Sequence, residues 1–382
     1  MVSIVFGGDF SPLCDTPAVS IVSRGVLWDK PITDFISQAD FRLFNLETTL
    51  GTKAPKRLKI GVNLNTYAEM AKVLKESKID MVSMANNHIF DYGSEGVLDT
   101  INYLKANGIM YGGVGKTPLD ADKLHIFEIN GEKIGFLFYA EHEFNYMSEN
   151  EPGTAVLDPS GIILKIQESI TQCDYLILFT HFGPEGTGCP SPRMVSLFHN
   201  FVKAGASVVI NCHAHHVMGM EFYNGKPIYY GLGNLFFPKP NMPDWWYKGM
   251  LVKIHFSKKK ITTDEVFISY NEKNECVETN SNIVQEREYF NEISSWIKSH
   301  DIVENKWKEF CETQTPHMLK QLFKAFVALL PYFLCIKLKL PFYKKISLTS
   351  FPAKGARMLR GLFCCENHVE ELSKIFTEMG IR

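Results

Sequence analysis

The stretch MVSMANNHIFDYG, residues 81–93, joins a short apolar run to a dense group of polar side chains. The run at residues 81–84 predicts a buried β-strand, because it is short, apolar and bounded by polar residues. Polar side chains that directly follow such a strand favour a binding or catalytic site, with a capping turn as the structural alternative. The polar residues in question are Asn86, Asn87, His88 and Asp91.

The first two thirds of the chain repeat this plan. Short β-branched or aromatic runs alternate with helical segments, which is typical of an α/β sheet covered by helices. We therefore predict an α/β fold. The predicted strands lie in residues 3–6, 41–44, 81–84, 175–179 and 208–210. The predicted helices lie in residues 66–75, 95–107, 161–171 and 192–204.

A hairpin and a second sheet are predicted further along the chain. Asn130 and Gly131 separate the runs at residues 125–129 and 133–139, and Asn followed by Gly suits a tight type I′ turn. Three more runs predict a second, antiparallel sheet. These runs are residues 227–232, 250–256 and 261–270.

Polar clusters follow five of the predicted strands, each just past the strand end. Because the carboxyl ends of strands in an open α/β sheet converge on one edge, we expect these residues to surround one ligand. Oxygen ligands mixed with imidazoles suit Mn, Fe, Zn or Mg rather than a thiolate-rich zinc site. The clusters are Asp9; Asn45 to Glu47; Asn86 to His88 with Asp91; His181 with Glu185; and His213 to His216.

A structural explanation is open for each cluster taken alone. Asp9 suits a turn after a strand, and Glu47 suits the start of a helix. His181 suits a buried core position, and the imidazoles at residues 213–216 suit an exposed or pH-sensitive patch. The occurrence of all five clusters at strand ends favours the metal site.

Composition limits the kind of protein. The chain has 382 residues, of which 45% are hydrophobic and 21% charged, as in an ordinary globular protein. A formal net charge of -2 leaves no basic excess to hold a phosphate backbone, so no nucleic-acid partner is expected. Nine scattered cysteines predict no disulfide framework. The N-terminus lacks the features of a signal peptide, so a cytoplasmic location is the expectation.

The C-terminal third differs in character, and we predict a catalytic domain at residues 1–280 followed by a mainly helical extension at residues 281–382. Within it, residues 319–345 hold an apolar run, 325–336, with lysines on both sides. Pro331 interrupts this run, which is shorter than the roughly 20 apolar residues of a membrane span. A helical hairpin packed on the main domain and peripheral attachment to an anionic membrane through the lysines both stay open.

Six short motifs occur in a fixed order along the chain. They are GGDF at 7–10, NLET at 45–48, ANNHIFDYG at 85–93, HFGPE at 181–185, HAHHV at 213–217 and GLGNLFF at 231–237. Together they resemble the CapA family, the bacterial capsule synthesis or poly-γ-glutamate synthesis family, which is related to calcineurin-like metallophosphoesterases. The resemblance covers roughly residues 2–256. It implies a metallophosphoesterase-like sandwich of two β-sheets flanked by helices, here with a helical C-terminal extension.

The resemblance also implies a centre with two divalent metal ions. The implied ligands are Asp9 for the first ion, Glu47 as the bridge, Asn87 and His181 for the second ion, and His213 with His216 to complete the two shells. Further candidates for the site are Ser11, Asn45, Asn86, Glu185, His215 and Asn234.

The resemblance makes His88 a general acid or a stabiliser of the transition state, held in orientation by Asp91. The chain departs from the related phosphoesterases in two places. Ser11 stands where they usually carry a metal-binding histidine. In the last histidine motif, the family's spacing favours His216 as the ligand, whereas the plain phosphoesterase spacing favours His215.

Two functions follow from this resemblance. The first is a metal-dependent hydrolase of the metallophosphoesterase type, acting on a phosphoester or an anionic polymer in the biosynthesis of a capsule or another surface polymer. The second is a non-hydrolytic, metal-containing accessory protein that binds a nascent anionic polymer or its synthesis machinery.

Overall fold

In the computed structural model of the protein, the described residues are 1–59, 61–145, 152–156, 158–258, 260–337, 363 and 365–378. The strands are β1 (Val2–Phe10), β2 (Phe41–Leu46), β3 (Thr49–Leu50), β4 (Asn65–Thr66), β5 (Met81–Ser83), β6 (Met110–Gly112), β7 (Val114–Gly115), β8 (His125–Ile129), β9 (Glu132–Ala140), β10 (Gly153–Thr154), β11 (Tyr175–His181), β12 (Val208–Cys212), β13 (Met220–Tyr223), β14 (Lys226–Tyr229), β15 (Asn234–Phe236), β16 (Lys248–Phe256), β17 (Ile261–Asn271) and β18 (Cys276–Thr279). The α-helices are α1 (Thr16–Arg24), α2 (Lys30–Ser37), α3 (Met70–Glu76), α4 (Gly93–Ala106), α5 (Pro118–Ala121), α6 (Pro159–Ser169), α7 (Pro192–Ala204), α8 (Ile283–Trp296), α9 (His300–Lys337) and α10 (Glu366–Glu378). A 3₁₀ helix covers Asp244–Tyr247.

Two sheets form the centre of the larger compact unit, which comprises residues 1–57 and 63–304. The larger sheet has the order β18-β17-β16-β1-β2-β5-β6, and β15 also pairs with β1. Strands β1, β2, β5 and β6 run parallel, whereas β16 runs antiparallel to β1. The second sheet has the order β13-β14-β12-β11-β9-β8, with β9, β11, β12 and β14 parallel.

The two sheets pack face to face, and helices cover their outer faces. Phe6 of the larger sheet and Phe179 of the second sheet meet in the core between them, with ring centroids 6.3 Å apart. Helices α1 to α4 cover the larger sheet, and α6 and α7 cover the second. The predicted α/β sandwich of two sheets flanked by helices is therefore confirmed.

Four of these helices begin with the same local chemistry. Asp15, Asp29, Asp158 and Ser191 each precede their helix, and each side chain accepts a hydrogen bond from a backbone N–H of the first turn. A proline follows within the first two helical positions, where its missing N–H costs nothing. The sequence itself thus fixes where α1, α2, α6 and α7 start.

The predicted hairpin is confirmed, whereas the predicted assignment of the later strands is wrong. Strands β8 and β9 pair antiparallel around Asn130 and Gly131, whose φ angles of 50° and 81° suit a type I′ turn. The runs at 227–232, 250–256 and 261–270 do not form a separate antiparallel sheet. Strand β14 joins the second sheet parallel to β12, and β16 and β17 join the larger sheet beside β1. The short β15 pairs with β1 and so carries the chain from one sheet to the other.

The described residues fall into two compact units. The first comprises residues 1–57 and 63–304, and the second comprises residues 58–62 and 305–382. In the second unit, α10 and the first half of α9 bury a small apolar cluster, so the described part of the C-terminal extension is helical as predicted. Its core consists of Trp307, Cys311, Met318, Leu372 and Ile375.

The domain boundary at residue 280 stays a prediction. Helix α8 follows it and contributes Phe290 and Ile293 to the core between the two sheets. Of the segment at 319–345, the part after Lys337 lies outside the described residues. Among the described residues no helix is both long enough and apolar enough to cross a membrane.

Candidate metal centre

The sandwich brings the carboxyl ends of strands from both sheets to one place. Asp9 pairs with Asn45 across β1 and β2, and His181 pairs with Cys212 across β11 and β12. The backbone of β1 bends just before Asp9, where Gly8 lies against the carbonyl of Gly233. A Cβ on Gly8 would come 1.9 Å from that oxygen, so only glycine allows this close approach.

Asp9 is buried and held from both sides. Its Oδ1 accepts a hydrogen bond of 2.7 Å from the Nδ2 of Asn45. Its Oδ2 accepts one of 3.1 Å from the backbone N–H of His213, and the Nδ1 of His215 lies 3.4 Å from the same oxygen. The carboxylate of Asp9 therefore has a fixed orientation toward the loop at residues 213–216, called the histidine loop below.

Glu47 is buried, and neither of its carboxylate oxygens has a hydrogen-bond partner among the described residues. Its Oε1 lies 3.6 Å from the Nε2 of His181 and 3.9 Å from the Nε2 of His215. Burial, and after it the negative charge of Asp9, raise the pKa of Glu47 well above its usual range. A buried carboxylate without hydrogen bonds is costly, so this position fits a bound cation.

Two groups of ligand atoms share Glu47. One group contains Glu47, His181 and His213, and the other contains Asp9, Glu47 and His215. In each group the ligand atoms all lie within 4.8 Å of one another. Buried carboxylate oxygens combined with imidazole nitrogens suit a divalent transition metal. The residues present therefore fit two neighbouring cations with Glu47 between them.

The histidine loop has a strained backbone. His213 and His215 have φ angles of 89° and 53°, in the left-handed region that favours glycine. Such a conformation costs about 1–3 kcal/mol per residue and persists where the surroundings hold it, often at functional sites. In this conformation the Nδ1 of His213 lies 3.0 Å from the Nε2 of His181.

His215 and His216, the two candidates for the second imidazole, have different surroundings. The Nδ1 of His215 lies 2.9 Å from the Oδ1 of Asn234, and its ring joins the Asp9 group. The Nδ1 of His216 instead donates to the carbonyl of Val217 at 2.7 Å, and its ring packs 5.2 Å from that of Trp245. The structure therefore brings His215, and not His216, together with Asp9 and Glu47.

The histidines differ in their titration. Burial, followed by the charge of His213, lowers the pKa of His181 well below its usual range. Burial also lowers the pKa of His213, but the hydrogen bond and charge of Glu141 outweigh it and raise that pKa to about 10. For His215, the charge of Glu47 and the hydrogen bond to Asp9 outweigh burial and raise the pKa to about 9. Nearby carboxylates thus favour the charged form of His213 and His215, whereas burial and the neighbouring imidazoles disfavour it at His181.

His88 and Asp91 form a tight pair. The Nδ1 of His88 lies 2.7 Å from the Oδ2 of Asp91, which also accepts the backbone N–H of Leu64 at 2.7 Å. Asp91 is buried, whereas the side chain of His88 is 13% exposed. Asn86 supports this turn, since its Oδ1 accepts the N–H of His88 and its Nδ2 donates to the carbonyl of Leu46.

The remaining predicted residues have distinct places. Asn87 directs its Oδ1 toward His181, 3.1 Å from Nε2. Ser11 is buried and donates its Oγ hydrogen to the carbonyl of Glu47 at 2.6 Å, so it supports the backbone of that residue. Glu185 is exposed, and its charge raises the pKa of both His213 and His215.

Two acidic residues at the centre are absent from the sequence predictions. Glu141 and Glu143 directly follow β9, and with His213 they form a third group of neighbouring ligand atoms. The sequence contains the same pattern here as in the five predicted clusters, because polar residues follow an apolar strand. It was missed because residues 133–139 were assigned only to a hairpin, whereas β9 is also the parallel neighbour of β11.

Comparison with known proteins identifies curated relatives. The "PGA biosynthesis protein CapA" of Bacillus subtilis is 31% identical over 179 residues, which are 46% of this chain and 47% of that protein. The "Capsule biosynthesis protein CapA" of Bacillus anthracis is 26% identical over 215 residues, 54% of this chain and 52% of that protein. The chain therefore spans about half the length of these relatives.

Among solved structures, the 5'-nucleotidase precursor of Thermus thermophilus aligns with a TM-score of 0.42 at 12% identity, over 78% of this chain and 60% of that one. The family model "Bacterial capsule synthesis protein PGA_cap" matches residues 4–239, more than half of the chain. All six motifs fall within the matched stretch. The protein therefore belongs to the family of bacterial capsule synthesis proteins PGA_cap.

Proposed function

We propose that this protein is a metal-dependent hydrolase of the metallophosphoesterase type that holds two divalent cations. The observation that carries the proposal is the carboxylate of Glu47. It is buried, lacks hydrogen bonds among the described residues, and belongs to both groups of ligand atoms. A bridging ligand between two cations accounts for all three properties.

The ligands divide into two sides of the centre. On the Asp9 side, Asp9 and His215 would hold the first cation together with Glu47. On the His181 side, His181, His213 and Asn87 would hold the second cation together with Glu47. We assign the second imidazole to His215 rather than His216, because only its ring approaches Asp9. Mn, Fe, Zn and Mg all accept oxygen and imidazole ligands of this kind.

Two bound cations would activate a water for attack and neutralise charge on the substrate. His88 has the geometry of a general acid. An ionised carboxylate only accepts hydrogen bonds, so Asp91 keeps a proton on the Nδ1 of His88 and fixes the orientation of the ring. As a general acid, the charged His88 would donate its Nε2 proton to the leaving oxygen and become neutral, and buried Asp91 stabilises the imidazolium before this transfer.

The names of the relatives favour a role in the biosynthesis of a capsule or another surface polymer. Within that role we propose a phosphoester or an anionic polymer as the substrate. A non-hydrolytic accessory role is the second candidate, and Ser11 favours it. Ser11 bonds to the carbonyl of Glu47, so the Asp9 side has one strong ligand fewer than related phosphoesterases. Cytoplasmic location and membrane contact through residues 319–345 stay predictions.

Metal analysis combined with a hydrolase assay tests the proposal. Protein purified without chelators is analysed for bound metal and assayed with Mn²⁺ on p-nitrophenyl phosphate and bis-p-nitrophenyl phosphate. We expect up to two cations per chain and hydrolysis of at least one substrate. His88→Ala should retain the metal and lose activity by roughly 10²- to 10⁴-fold.

His199→Ala is the matched control, because His199 is also paired with a carboxylate, Glu221, at 2.6 Å, but lies on helix α7 outside the centre. Its activity should equal that of the wild type. Bound metal without hydrolysis of any phosphoester would favour the accessory role. A chain that binds no divalent metal would contradict both functions.

A further inference from the structure

Glu141 lies directly behind one of the proposed ligands. Its Oε1 is 3.0 Å from the Nε2 of His213, and the two residues are 1% and 2% exposed. Because an ionised carboxylate accepts but does not donate, this contact keeps a proton on the Nε2 of His213. When the ring of His213 is neutral, its lone pair is therefore on Nδ1, the nitrogen that lies 3.0 Å from His181.

Glu143 orients Asn87, the proposed amide ligand on the His181 side. Its Oε2 accepts a 2.6 Å hydrogen bond from the Nδ2 of Asn87. An amide has a donor end and an acceptor end, so fixing the nitrogen on Glu143 turns the oxygen the other way. That oxygen lies 3.1 Å from the Nε2 of His181.

The Asp9 side has neutral residues in the equivalent places. Asn45 donates to Asp9 at 2.7 Å, and Asn234 lies 2.9 Å from the Nδ1 of His215. A hydrogen bond from an imidazole to a carboxylate is roughly twice as strong as one to a neutral amide, so Glu141 holds His213 more strongly than Asn234 holds His215. The bond from Asn45 to Asp9 differs from these two, because there the ligand itself is the carboxylate. Carboxylates behind metal-bound histidines also raise the basicity of the imidazole. The two sides therefore differ in what stands behind their ligands.

We propose that Glu141 and Glu143 are positioning residues, carried on one loop after β9, that orient His213 and Asn87 and make the His181 side the tighter of the two cation sites. This inference rests on the proposed metal centre. In this proposal neither carboxylate is a ligand, because Glu141 lies against the Nε2 of His213 and Glu143 accepts from the Nδ2 of Asn87. Removing either should weaken one cation and leave the other unchanged.

Titration of metal-free, full-length protein with Mn²⁺ by calorimetry tests this inference. Glu141→Ala should lower the affinity of the tighter site about 10- to 100-fold, with the number of sites at saturation unchanged. Glu141→Gln should recover part of the loss, because the amide oxygen still accepts from Nε2. Glu143→Ala and Glu143→Gln should behave likewise toward Asn87. Glu272→Ala, in an exposed turn between β17 and β18, is the control and should bind as the wild type does.

Circular dichroism and thermal unfolding without metal show whether each variant folds. If Glu141→Ala does not, the Glu143 pair carries the test, because Glu143 is only partly buried. Affinities within twofold of the wild type in the alanine variants would overturn the inference, as would equal losses in the alanine and glutamine variants. Loss of one bound Mn²⁺ per chain would indicate that the carboxylates are themselves ligands, and it would also overturn the inference. A wild type that binds no Mn²⁺ would instead remove the proposed function itself.

Discussion

The Asp9 side and the His181 side of the proposed centre share Glu47 and the amide of Asn45, which lies 2.7 Å from Asp9 and 3.2 Å from the Nδ1 of His181. They differ in the groups behind their other ligands. On the His181 side, two carboxylates stand behind the ligands, at 3.0 Å from His213 and 2.6 Å from Asn87. On the Asp9 side the supporting groups are the amides of Asn45 and Asn234. This difference predicts that the two proposed cation sites bind with separate affinities although Glu47 belongs to both.

The missing histidine sharpens this comparison. Ser11, where the sequence resemblance implies a metal-binding histidine, donates its hydroxyl hydrogen to the backbone carbonyl of Glu47 instead. The Asp9 side therefore has one ligand fewer than the resemblance implies, and its histidine lies against a neutral amide. We expect sequential binding of two cations, with the His181 side filled first. Substitutions on each side of the centre test this expected order of binding.

Glu47→Gln has the largest expected effect, because it affects both sides. We expect hydrolysis to fall to background and stabilisation by Mn²⁺ to disappear. Without metal the variant should be more stable than the wild type at neutral pH. The pKa of Glu47 is raised by folding, so its ionised form disfavours the folded state above the ordinary pKa of a glutamate, and glutamine removes that cost of about 1–3 kcal/mol.

Thermal unfolding with and without chelator measures this effect. Glu128→Gln, at an exposed position on β8, is the matched control and should change neither curve. A metal-free Glu47→Gln protein that is less stable than the wild type would show that Glu47 has a favourable partner in the folded state. The bridging role would then lose its main support.

His215 and His216 are substituted separately, and only one of the two single variants should lose affinity for a cation. His215→Ala should lower the Mn²⁺ affinity of the looser site by more than the roughly 10- to 100-fold expected for a residue behind a ligand. The affinity of the tighter site should not change. His216→Ala should leave both affinities within twofold, because its Nδ1 bonds to the carbonyl of Val217. Calorimetry with Mn²⁺ separates the two sites. The reverse pattern would restore the assignment that the family's spacing favours.

Asn234→Ala has the smallest expected effect. It removes a neutral hydrogen bond to His215, worth about 1 kcal/mol, so the looser site should weaken roughly fivefold. The change should be smaller than that of Glu141→Ala on the opposite side. Equal effects of the two substitutions, measured in the same titration, would remove the distinction between charged and neutral supports.

Much of this arrangement could be predicted from the sequence. Asp9, Asn87 and His181 lie at or shortly after the ends of apolar strands and could be recognised because the carboxyl ends of parallel strands meet at one edge. Helices α1 and α2 were not predicted, although Asp followed closely by Pro is a local signal for a capped N-terminus. Local patterns of this kind depend on neighbouring residues alone.

Other features depend on contacts between distant residues, and the sequence could not supply them. The choice between His215 and His216 follows from the left-handed backbone at His213 and His215, which no local pattern in HAHHV encodes. Glu141 and Glu143 belong to the centre only because β9 pairs with β11 as well as with β8. The assignment of β16 to the larger sheet likewise follows from β15, three residues that cross between the sheets.

The central claim is that Glu47 bridges two cations, and a crystal structure of the Mn²⁺-loaded protein tests it most directly. Anomalous scattering at the manganese edge locates each ion without reference to the protein coordinates. We predict two peaks, one beside Asp9 and His215 and one beside His181 and His213, both in contact with the carboxylate of Glu47. A single peak, or a peak held by Glu141 and Glu143 with Glu47 left bare, would contradict the account.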